Sequence, residues 1–83
     1  MSLEVQALAE QVEKLLSEMV KQQERKVLEI ARSRLPHLTG DDILNSHDFP
    51  ELMSDPIFNY EEGIGVGLLS SQAALRALFK RLK

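Results

Sequence analysis

His37, Asp41, Asp42, His47 and Asp48 crowd into one short stretch and are the residues of this chain best suited to chemistry. Imidazole and carboxylate both ligate metals and carry protons. Their spacing matches no helical pair of ligands such as HExxH, and the aspartates lack the acid, glycine and terminal glutamate pattern of a calcium loop. Each aspartate has a nearer use as a helix cap or first-turn acid. The cluster therefore reads as structural, with no metal and no cofactor; a metal-dependent or catalytic role at His37 and His47 is the alternative. Ser17, Ser33, Ser70 and Ser71 fall on expected helices with no histidine within one turn, so no nucleophile and base pair off.

The other chemically suggestive run is Gly63-Ile64-Gly65-Val66-Gly67. A phosphate cradle needs loop amides and a helix N-terminus aimed at the anion. Here Glu61 and Glu62 precede the glycines and repel phosphate, and no Lys-Ser/Thr follows at P-loop spacing. A kink that delays the last helix to Leu68 is a second reading. The third, preferred here, is a continuous helix in which Gly63, Gly67, Ser71 and Ala74 form a row of small residues, a groove into which another backbone can pack closely. Three helical glycines cost about 3 kcal/mol against alanine, so this reading requires something to offset them.

These residues need a scaffold, and its main beam is the stretch Leu3–Leu35, 33 residues without Gly or Pro. Val5, Leu8, Val12, Leu15 and Met19 step by three and four, which makes a heptad seam. The next seam positions are Gln22 and Lys26, and the apolar stripe resumes in a rotated register along Leu16, Val20, Val27, Ile30, Ala31 and Leu35. Two short interfaces are expected rather than one rod. Opposite charges at helical spacing (Glu10/Lys14, Lys14/Glu18, Arg25/Glu29, Glu29/Arg32) support the helix. Ser2 caps its start, and Pro36 ends it because the residue before proline avoids the α region.

Residues 36–59 are polar yet contain Leu38, Ile43, Leu44, Phe49, Leu52, Met53, Ile57 and Phe58, too much apolar material for a solvated tether. Thr39 with Asp42 resembles a capping box opening a short helix through Leu44, and Asp48 with Glu51 repeats the device ahead of a second, ending near Ser54. Asp55-Pro56 marks a turn. The last helix is expected from Asn59 as cap, with Glu62 three residues on, to about Leu82; its apolar face is Ile64, Leu68, Leu75, Leu78, Phe79 and Leu82.

At 83 residues the chain is one domain (1–83), with a core small enough that oligomerisation would add needed stability. It has no cysteine, which excludes disulfides and thiolate metal sites and fits a reducing, cytoplasmic setting. No basic and apolar leader and no bilayer-length apolar run stand out, so it reads as soluble and untargeted. Its net charge of −3 hides segregation: residues 36–63 carry seven acids and no base, residues 64–83 four bases and no acid. A nucleic-acid binder would show a basic surplus, so neither nucleic acid nor membrane is expected as a partner. Contact of an anionic surface with Arg76, Lys80, Arg81 and Lys83 is the alternative.

The expected fold is all-α: a long antiparallel hairpin, about 3–35 and 60–82, joined by two short helices. Arg32 and Arg34 would then lie near Glu61 and Glu62, and Arg76, Lys80 and Arg81 near Glu4, Glu10 and Glu13. At 1.5 Å per residue the helices are roughly 50 and 34 Å long, so the second runs out near residue 12 and leaves Val5, Leu8 and Val12 as an uncovered overhang. A second copy would bury the Val5, Leu8, Val12, Leu15 and Met19 seam and give a homodimeric four-helix bundle. The function expected is non-enzymatic, through self-association and contacts with a helical or basic protein partner, as in adaptors or chaperones.

Overall fold

Ser2 Oγ accepts a hydrogen bond from the Val5 amide at 3.2 Å and opens α1, Leu3–Arg34. The helix closes at Leu35, whose amide bonds the Ala31 carbonyl at 2.8 Å, before Pro36. Arg32 Nε then donates to the Leu38 carbonyl at 2.7 Å and folds the outgoing chain back under the helix end. The computed structural model describes residues 2–82. Among them there is no strand, and the order is α1, α2 (Gly40–Leu44), a 3-10 turn (Ser46–Asp48), α3 (Pro50–Met53) and α4 (Pro56–Arg81).

The capping box forms as expected. Thr39 Oγ1 accepts from the Asp42 amide, and Asp42 Oδ2 accepts from the Thr39 amide at 2.9 Å. The second box does not form: α3 starts from Phe49 without a side-chain cap, and Asp48 sits in the 3-10 turn. Pro50 at the first helical position has no amide to satisfy and a preset φ, so the short helix starts without a capping side chain.

The last helix starts earlier than expected. Asp55 Oδ1 accepts from the amides of Ile57 and Phe58 at 2.9 and 3.0 Å, with Pro56 at the first helical position. An acid followed by proline is a start signal, and here it outcompetes Asn59. Asn59 lies inside the first turn and uses its amide to reach the Met53 carbonyl at 2.8 Å, tying α4 to α3. From there α4 runs through Gly63, Gly65 and Gly67 without a break or a positive φ, so the kinked reading is ruled out.

α1 and α4 pack antiparallel, which makes the all-α hairpin with short connecting helices. The core gathers at one end of it. Val27 and Ala31 of α1, Leu38, Leu52 of α3 and Phe58 of α4 are buried together, with Ile30, Leu35, Ile43 and Phe49 half-buried around them. Leu52 and Phe58 are fully covered. The short elements thus form a tip that caps the closed end of the hairpin. No described apolar residue before Val20 or after Phe58 is buried, which leaves the open end with no apolar core of its own.

Candidate interaction face

Polar side chains set how the two long helices face each other. Gln23 Nε2 donates to Glu61 Oε2 at 2.7 Å and to the Glu61 carbonyl at 2.8 Å, and Lys26 Nζ lies 3.0 Å from Glu61 Oε1. Toward the open end, buried Gln72 donates to Ser17 Oγ at 3.0 Å and to Glu13 Oε1 at 3.4 Å, while Arg76 Nε donates to Glu13 at 2.8 Å. The hydrogen bond from Arg76 holds the Glu13 carboxyl below its ordinary pKa. Those from Gln23 and then Lys26 do the same for Glu61. Among the described residues no buried side-chain polar atom lacks a partner.

Of the expected charge pairs, Arg76 with Glu13 forms. Arg32 and Arg34 do not meet Glu61 and Glu62: Arg34 pairs with Asp55, and Glu61 lies level with Lys26. The early start at Pro56 is the cause, since it places Glu61 more than a turn down the helix.

The same register fixes where the apolar stripes point. Val20, Val27 and Ala31 face α4 and the tip, with Leu16 half-buried on the same side. At 100° per residue, the seam of Val5, Leu8, Val12, Leu15 and Met19 is turned about a quarter of a revolution to one side. Leu8 and Leu15 are each 57% exposed, Val5 and Met19 just under 40%, and Val12 is half-buried. The reason for this exposure differs from the expected overhang. Five residues beyond Arg76, about 7.5 Å, α4 ends roughly level with Leu8. It covers most of the length of α1, and the seam is bare because it points sideways.

α4 contributes to the same side. Ile64, Leu68, Ser71, Leu75, Leu78 and Leu82 alternate spacings of four and three, a second heptad seam. Ile64 and Leu68 line an open groove of about 640 Å³ with Met19, Gln22 and Lys26, so the two seams flank one another. Glu13 bonding to both Gln72 and Arg76 sets Val12, the midpoint of Val5–Met19, level with Leu75, within a turn of the midpoint of Ile64–Leu82. The apolar residues of α4 were visible in the sequence as one face; their division between Phe79, turned toward α1, and the side seam needed the register.

Gly63, Gly67, Ser71 and Ala74 are all exposed, and a Cβ built on Gly63 or Gly67 would meet nothing of this chain within 4 Å. The row is therefore not a contact between α1 and α4. Gly65 is the glycine that faces α1, 3.6 Å from Gln23 Cγ.

His37 lies in the exposed turn after α1, and His47 in the 3-10 turn with Nε2 3.4 Å from Asp48 Oδ1. Among the described residues no three His, Asp or Glu side chains come together as a metal site would require. Asp42 is engaged as a cap. Arg76 is occupied by Glu13, while Lys80 and Arg81 are exposed beside Leu78 and Leu82; Lys83 lies outside the described residues. Among the described residues no helix is long and apolar enough to cross a membrane. No protein-family profile, curated protein or solved structure matches the chain.

Proposed function

We propose that this chain is a small non-enzymatic interaction module that self-associates as a homodimeric helical bundle, in a reducing, cytoplasmic setting, and acts through protein contacts as an adaptor or chaperone does. One observation carries the reading: the open end of the hairpin has two adjacent heptad seams on one side and, among the described residues, no buried apolar side chain of its own. Helix pairs with that pattern gain stability by burying the seams against further helices.

The size of the face fits. Residues 3–23 span about 32 Å of helix and the hairpin is 19 Å across, which gives about 600 Å² per copy in projection, near the lower end of stable pairings. The acidic tip, with Asp41, Asp48 and Glu51 beside exposed Leu44 and Met53, offers a basic partner a surface separate from the dimer face.

Light scattering over a concentration series tests this. The native chain is expected at twice its 9.4 kDa, falling with dilution. Leu8→Asp with Leu15→Asp is expected to stay monomeric at every concentration while keeping its helical circular dichroism, because both side chains lie outside the core. A native chain that remains monomeric throughout would sink the proposal.

A further inference from the structure

Resting on the reading of this face as a self-association surface, we propose that the two copies pair antiparallel, about a twofold axis perpendicular to the helices near Val12 and Leu75, so that the two acidic tips project from opposite ends.

Two twofold arrangements stack the open ends of two hairpins face to face. An axis along the helices sets each residue level with its own copy and places both tips side by side. An axis across the helices runs α1 antiparallel to the partner's α1 and α4 antiparallel to the partner's α4, so an isologous contact pairs each residue before the midpoint with one after it. For the second to bury apolar on apolar, both seams must be centred at the same level. They are, to within a turn: Val12 is the middle of Val5–Met19, the α4 seam Ile64–Leu82 is centred between Ser71 and Leu75, and the hydrogen bonds that Glu13 accepts from Gln72 and Arg76 hold those positions level.

Charge then selects between the axes. Residues 24–63, which make up the tip and the helix ends leading to it, carry nine acids and four bases; the remainder carries four acids and six bases. The parallel arrangement brings two nine-acid ends together, and like-charge juxtaposition disfavours it most at low salt. The antiparallel arrangement overlaps only the weakly basic open ends and sends the tips outward. Between Gly63 and Leu75 α4 has no charged residue, so nothing charged on that stretch is buried by the contact.

The chain has no cysteine, so a single introduced thiol reports one position per copy. Leu44 is 81% exposed at the tip, and Lys14 is exposed near the proposed axis. Spin labels on Leu44→Cys are expected about 70 Å apart, twice the rise from residue 12 to the end of α1. Labels on Lys14→Cys are expected within about 30 Å in either arrangement and report pairing itself. A short Lys14 distance with Leu44 labels also inside about 30 Å would overturn the antiparallel axis and leave the dimer standing. A monomeric mass with no inter-label distance at either position overturns both the dimer and its orientation.

Discussion

The Gln72 side-chain amide donates to Ser17 Oγ at 3.0 Å across the hairpin, at a level where no apolar pair is buried. A buried polar contact of this kind fixes register, because any slide of α4 along α1 would strand the amide away from water. Gln72→Ala is expected to destabilise the fold by about 1–2 kcal/mol in urea. A double-mutant cycle with Ser17→Ala isolates the pair and is expected to return a coupling of about 0.5–1.5 kcal/mol. Strict additivity of the two substitutions would remove the register role.

Stability is expected to be uneven along the hairpin. Phe58 and Leu52 are fully covered at the tip, whereas Leu15 and Leu78 at the open end are not. Phe58→Ala is expected to cost about 3–5 kcal/mol, a large part of what a domain of this size has. Leu15→Ala is expected to cost the monomer less than about 1 kcal/mol. Hydrogen exchange should show the same gradient, with amides near Val27 and Ala31 protected longer than those near Leu8. Equal protection along α1 in a dilute, monomeric sample would contradict a core confined to the tip.

Acid is expected to loosen the joints between helices. Hydrogen bonding from Arg34, then from the Phe58 amide, holds Asp55 below its ordinary 3.8, as Arg76 does for Glu13 and Gln23 does for Glu61, below 4.5. A carboxyl whose folded pKa is depressed binds more protons when unfolded, so its contribution is present above the ordinary value and is lost as pH falls through the folded one. Melting temperature should therefore hold level above about pH 5 and decline below the 4–4.5 range. Glu61→Gln, which cannot titrate, is expected to flatten part of that decline; an unchanged pH profile in the variant would show that Glu61 contributes none of it.

Much of the architecture was legible because it rests on local rules. The uninterrupted Leu3–Leu35 run, Ser2, the Thr39/Asp42 box and Pro36 each act within one turn of chain, and each stands where those rules place it. Asn59 and Asp55 show where local rules compete. Both are good caps, but only Asp55 is followed by a proline preset for the first helical position, and that choice shifted the start of α4 by just over a turn. The direction of the α1 seam was less accessible: its exposure was readable, while its sideways aim depends on Glu13 meeting Gln72 and Arg76, and Gln23 meeting Glu61, across more than thirty residues. No local pattern encodes such pairings. The small row from Gly63 to Ala74 could be found by spacing, but spacing does not say what lies opposite.

The two caps can be separated directly. Asp55→Ala removes acceptors from the Ile57 and Phe58 amides and is expected to cost about 1–2 kcal/mol. Asn59→Ala loses one bond to the Met53 carbonyl and is expected to cost about 1 kcal/mol or less. Chemical denaturation reads both. A larger loss at Asn59 would put the functional start of α4 back where the sequence alone suggested.

The exposed glycines give the sharpest measure of what else touches α4. Gly63 and Gly67 are helical, have negative φ, and would place a Cβ in open space on this chain, so alanine is free to contribute its helix propensity. Each of Gly63→Ala and Gly67→Ala is expected to stabilise the isolated hairpin by about 1 kcal/mol, which for a domain of this size raises the melting temperature by roughly 4–8 °C. The comparison should be made at two protein concentrations. A rise in dilute, monomeric sample that persists in concentrated sample shows that the row stays in solvent after assembly. A rise only in the dilute sample shows that a second backbone approaches the row in the dimer, because the added methyl groups then collide with it. A fall in both would contradict the open placement of these glycines in the monomer.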